Sequence, residues 1–215
     1  PVRFEKDGQV LYQQPMAYAE KMVQPASPIL MGKGYLKSGE LVNEPFDFTD
    51  KNFFALEDQH QLLKAIFFPE SLEPSQRFDL HPDDYEFLYR YMSQLPMETS
   101  YPEHYSDDYH DSYVKFFLFG DSKKRMPRNI RLFNKVGDAY GFMLDNAYIV
   151  DFERGVEFML TAVIYANENQ IFNDNTYEYE TVSSPFLANL GKAIFEYEIE
   201  RKRHGRPDLS RYEVE

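Results

Sequence analysis

The strongest constraint on this chain is a change of hydrophobic period near its middle. Ahead of it, apolar residues recur every three to four positions; from about residue 113 they recur at two. Residues 113–119, 130–137, 147–152 and 156–166 each read as a strand. Glu153-Arg154-Gly155 is short enough to join the last two as a hairpin. Residues 158–165 are almost wholly apolar, which predicts a strand buried on both faces. An acidic loop over 167–180 follows. Then Ser184-Pro185 offers a cap and a first helical position, and Phe186, Leu190, Ala193, Ile194 and Tyr197 form an apolar face. These elements predict the α+β class: an antiparallel sheet with helices packed on it.

The first half supplies the other helices. Leu56, Leu63, Ile66 and Phe67 share one face of a helix over 56–68, which Pro69 stops. A second helix over 82–95 opens with Pro82, Asp83 and Asp84, suited to the positive end of a helix dipole. Tyr85, Leu88, Tyr89, Met92 and Leu95 are its stripe. Residues 2–4 and 10–12 flank a turn at Lys6-Asp7-Gly8, and Tyr35-Leu36 and Leu41-Val42 flank Ser38-Gly39, so two hairpins are expected there. Proline-bearing residues 13–28 and polar residues 97–111 read as loops. The expected organisation is one incomplete domain: a hairpin-rich part over 1–50, a helical part over 51–100, and a sheet with its helix over 112–203.

Charge narrows the function classes. Acidic residues outnumber basic ones 36 to 23, for a net charge of −13, so phosphate backbones and anionic membranes are repelled and no nucleic acid is expected as a partner. The basic group Arg201, Lys202, Arg203 and Arg206 suits a helix end. With no cysteine there is no disulfide, thiolate zinc site or cysteine nucleophile. No apolar run reaches the roughly 20 residues of a membrane span, so an integral membrane protein is not expected. The 19 Phe and 17 Tyr require a packed interior or a binding surface. A start at Pro1, without Met or leader, predicts a processed chain or a piece of a longer one.

One segment carries chemistry. Residues 131–141 read Arg-Leu-Phe-Asn-Lys-Val-Gly-Asp-Ala-Tyr-Gly, placing Lys135 and Gly137 at a strand end. A lysine there sets a positive charge where an anion or a proton in transit would sit. A glycine beside it lets another backbone approach the strand edge. This run, with residues 146–151 and 156–160, resembles the last third of serine β-lactamases and penicillin-binding proteins. In that fold a strand ends in Lys-Thr/Ser-Gly, two antiparallel strands follow, and a C-terminal helix covers them. The likeness is strongest to a Bacteroidetes-type group of β-lactamase-like serine hydrolases. It extends to residues 32–36, 44–48, 91–94 and 115–117. The resemblance implies acyl transfer in the bacterial periplasm or cell envelope on a peptide, glycan or β-lactam-like substrate. Lys135 would be the catalytic electrostatic or proton-relay group, Gly137 the close-approach residue, and Asp138 and Tyr140 the cleft rim. Val136 departs from the family pattern, which has a hydroxyl there that helps hold the substrate carboxylate.

The nucleophile is missing. The family needs Ser-x-x-Lys on a helix, where positions three apart share a face. The one such run, Ser112-Tyr-Val-Lys115, falls in the strand expected over 113–119, where residues three apart face opposite ways. Neither Tyr91-Met-Ser93 nor Ser106-Asp107-Asp108 supplies the family's Ser/Tyr-x-Asn. The chain alone is therefore expected to be inactive. A non-catalytic peptide- or glycan-binding module of the envelope is the alternative; a Ser-x-x-Lys encoded upstream would favour the enzyme. His104, Asp107, Asp108, His110 and Asp111 could hold a divalent metal but read better as a solvated acidic loop. Asn173, Asp174, Asn175, Glu178 and Glu180 lack the glycine and spacing of a calcium loop. Arg131 reads as a salt-bridge partner, and His60 and His81 as surface or capping residues. No cofactor is called for.

Overall fold

Ten strands and three α-helices follow one another in the computed structural model, which describes residues 2–18, 25–99 and 109–213. The first hairpin, β1 (Arg3–Lys6) and β2 (Gln9–Gln13), turns at Asp7-Gly8, and every residue of both strands is exposed. Four short strands follow: β3 (Leu30–Met31), β4 (Gly34–Lys37), β5 (Glu40–Val42) and β6 (Phe46–Asp47). Strand β4 pairs antiparallel with β5 across Ser38-Gly39, so with β1–β2 both expected hairpins form, and β3 pairs antiparallel with β6 around β4 and β5. Helices α1 (Leu56–Phe67) and α2 (Pro82–Ser93) lie where the apolar period puts them. Leu63 and Phe67 of α1 and Tyr89 of α2 are buried.

The sheet that organises the molecule is an antiparallel meander of three ten-residue strands: β7 (Ile130–Ala139), β8 (Phe142–Asp151) and β9 (Val156–Tyr165). The β7–β8 ladder closes on the two-residue turn Tyr140-Gly141, both at positive φ (56° and 83°), the pattern whose twist matches that of the strands. Strand β8 therefore begins five residues earlier than the apolar pattern indicates. Asp145 and Asn146 break that pattern, yet both are buried, and each is paired within the fold.

Both faces of the sheet are covered. On one, Phe133, Tyr148 and Val150 pack with Leu63, Phe67 and Tyr89 and with Leu209 and Tyr212 of the C-terminal segment. Tyr212 Oη donates to the Phe67 carbonyl (2.7 Å). Asn146 Nδ2 donates to Gln59 O, and His60 Nδ1 meets Thr161 Oγ1 at 2.7 Å, fixing the first turns of α1 over the strands. On the other face, Leu132, Ala147 and Ile149 pack with Phe117, Leu118 and Leu187. Strand β10 (Ile171–Phe172) pairs parallel with β4 inside the stretch expected to be all loop. Tyr140 joins Phe46, Phe48 and Phe172 in an aromatic cluster that ties the β7–β8 turn to the small strands.

Three sequence expectations are corrected. Strand β9 is not buried on both faces: it lies at the edge of the meander, only its Val156 is buried, and Val163 and Tyr165 are exposed. Residues 113–119 form two tight turns rather than a strand. The consecutive N–H groups of Phe116 and Phe117 both reach Asp145 Oδ2 (2.9 and 3.1 Å), which alternating strand geometry forbids, and Leu118 has φ 68°. Helix α3 (Ser184–Glu200) also faces differently from the expected stripe. Phe186 and Tyr197 are 48% and 61% exposed, while Leu187, Ala188, Gly191 and Glu198 are buried. A close approach decides this: a methyl at Gly191 would lie 2.6 Å from the Leu118 amide nitrogen. The helix follows a π-helical turn, Tyr179–Ser183, and no side chain caps its first turn.

Candidate functional site

Strand β7 is an edge strand, and its free edge defines the site. Ile130 N–H bonds Pro127 O, and Leu132 O accepts Lys115 Nζ. Main-chain groups of the even-numbered residues therefore point away from β8. Val136 and Asp138 come next along that edge, where they line a groove of about 870 Å³. Phe116 and Met143 also line it, as do His110, Ser112 and Val114 on one side and Tyr179, Glu180 and Ser184 on another. Asp121, Asp138 and Glu180 bring negative charge to the lining against the positive charge of Lys123, and Asp121 is paired with Lys192, so the lining leans acidic.

The residues singled out from sequence separate around this edge. Lys135 points to the face opposite the groove and is exposed, but its Nζ curls back to the Val136 carbonyl at 2.6 Å. The ammonium thus rests beside the free edge. A Cβ at Gly137 would meet nothing within 4 Å, so the strand is open there on the Lys135 face. Asp138 lines the groove, whereas Tyr140 sits at the turn in the aromatic cluster.

Sequence reasoning missed the polar centre that holds the groove wall. Lys115, 2% exposed, donates to Met92 O (2.7 Å), Leu132 O (2.9 Å) and Asn134 Oδ1 (2.6 Å). Asn134 Nδ2 donates to Val114 O and to Asp145 Oδ1. Asp145, fully buried, accepts from Phe116 and Phe117 as well. Burial pulls Lys115 down to about 7, with the Asp145 charge opposing. Burial pushes Asp145 up to about 6, against its hydrogen bonds from Asn134 and Phe117. Three acceptors around the amine and three donors around the carboxylate suit the ionised forms. Only the break in apolar alternation at Asp145-Asn146 hinted at this centre.

Ser112 and Lys115 do not form a nucleophile–base pair. The strand argument against them falls with the strand, but the chemistry still excludes the pairing as it stands: Lys115 spends its three protons elsewhere, and Ser112 Oγ donates to the Ser122 carbonyl. His110 Nδ1 lies 2.8 Å from the same Oγ. Arg131 makes a two-pronged pair with Glu98 (2.8 and 2.9 Å), as its residue type suggested. Arg203 donates to Gly155 O and Glu198, and Arg206 to Phe152 O and Glu153 O. These cations therefore lock the β8–β9 turn beyond the helix end.

Among the described residues no group of acidic and histidine side chains could hold a metal, and no helix is long and apolar enough to cross a membrane. His104, Ser106, Asp107 and Asp108 lie outside the described residues. In the acidic stretch over 173–180, Asp174 accepts from Asn169 and Thr176, and Glu178 from Glu168. No protein-family model, curated protein or solved structure matches the chain.

Proposed function

We propose that this chain carries the substrate-binding strand of a β-lactamase- or penicillin-binding-protein-like serine hydrolase and supplies no nucleophile of its own. The substrate class is an extended peptide with a free carboxylate. One observation carries the reading: the outward main-chain groups of Val136 and Asp138 border the groove, with the Lys135 ammonium on the Val136 carbonyl. An extended peptide can pair with such an edge as an added strand. Pairing at Val136 would displace Lys135 from that carbonyl. This costs one exposed hydrogen bond of about 1 kcal/mol and frees the ammonium for the ligand's carboxylate.

The engagement of Ser112 and Lys115 in structural bonds favours a second reading, a non-catalytic peptide-binding module. Both share the same edge and differ only in whether another segment brings a nucleophile.

Calorimetric titration with N-acetyl-trialanine tests the binding. The free acid should bind about 2- to 5-fold more tightly than its C-terminal amide, the size of an exposed ion pair. Lys135→Ala should remove that difference. If neither peptide binds, the edge reading falls. A fluorescent penicillin and a fluorophosphonate should leave no adduct; a stoichiometric one would overturn the claim that the chain lacks a nucleophile.

A further inference from the structure

The groove contains a histidine whose tautomer is dictated by its neighbours. The Ser122 carbonyl can only accept, so the single proton of the Ser112 hydroxyl goes to it. His110 Nδ1, 2.8 Å from that hydroxyl oxygen, must then be the donor. In the neutral ring this leaves the lone pair on Nε2. The Tyr113 ring packs edge-on against the imidazole (6.2 Å), and both residues line the groove with Val136 and Asp138. Burial, and next the nearby Lys123, hold the ring's pKa below its usual value, while Asp111 opposes them. Asp111 itself is bonded to Arg125 and to the Met126 N–H.

We propose that His110 Nε2 is a specificity-determining acceptor, selecting ligands that bring a hydroxyl or another hydrogen-bond donor into the groove. The inference rests on the edge-binding reading and narrows its substrate class to peptides with hydroxyl side chains. A backbone paired at Val136 would project alternate side chains toward the groove lining. Ser112 acts as a positioning residue, because it fixes the tautomer without touching the ligand.

The test compares N-acetyl-triserine with N-acetyl-trialanine, both as free acids, by NMR titration. The unmodified protein should bind triserine about 3- to 10-fold more tightly, the value of one neutral hydrogen bond. His110→Phe should abolish that preference. Nitrogen-15 spectra of the unmodified protein should show the neutral ring as the Nδ1–H tautomer, and Ser112→Ala should shift it toward Nε2–H. Equal binding of the two peptides, or an Nε2–H tautomer in the unmodified protein, overturns this inference and leaves the edge reading standing. Binding of neither peptide overturns both.

Discussion

Replacing Lys115 by Met keeps the length of the side chain and deletes its charge. Three acceptors then lose their donor: Met92 O, Leu132 O and Asn134 Oδ1. Asp145 is left as a fully buried carboxylate without its counter-charge. Removing one partner from such a pair costs about 3–5 kcal/mol, a large part of the roughly 5–15 kcal/mol that holds a typical domain folded. The deficit should depend on pH in a set direction. Lys115 titrates near 7 when folded and near 10.5 when unfolded. Its contribution to stability is full above the unfolded value and is lost as pH falls through about 7. Asp145 shifts the opposite way, to about 6 from 3.8, so its contribution is full at low pH and is lost as pH rises through 6. Without Lys115 the Asp145 value rises further, which helps the variant most in acid. The stability deficit of Lys115→Met should therefore grow by about 1–2 kcal/mol between about pH 5.5 and 8.5. Urea unfolding followed by circular dichroism at several pH values measures it. A deficit below about 1 kcal/mol, or one that shrinks with rising pH, would refute the reasoning.

Other perturbations follow from single contacts. Gly191→Ala should destabilise the fold by about 1–3 kcal/mol, because the clash at Leu118 outweighs the roughly 1 kcal/mol gain in helix propensity; a thermal melt reads it. Arg203→Ala removes bonds to Gly155 O and to the Glu198 carbonyl and carboxylate, and should lower the melting temperature by about 3–8 °C.

Much of the fold was legible because periodicity reports burial. Helices α1 and α2, strand β9 and the N-terminal hairpins follow directly from where apolar residues recur. The pattern failed where burial is polar. Asp145 and Asn146 hid the first half of β8, and the apolar run over 116–119 concealed turns held by that same Asp145. Small residues misled it as well: α3 docks through Ala188 and Gly191, while its large Phe186 and Tyr197 face outward. Of the candidate site, Lys135, Gly137 and Asp138 were legible as a strand-end motif. The groove itself was not, because its far wall comes from the 110–123 turns and from the residues leading into α3, both distant in sequence.

The most direct test is amide hydrogen exchange along β7. In the free protein the Val136 and Asp138 amides, facing the open edge, should exchange far faster than those of Lys135 and Gly137, which face β8. Saturating N-acetyl-trialanine should slow Val136 and Asp138 by about tenfold or more, as expected for hydrogen bonds formed along an added strand. If those two amides are unchanged while the peptide is bound, the ligand does not pair with this edge, and the proposed function is wrong.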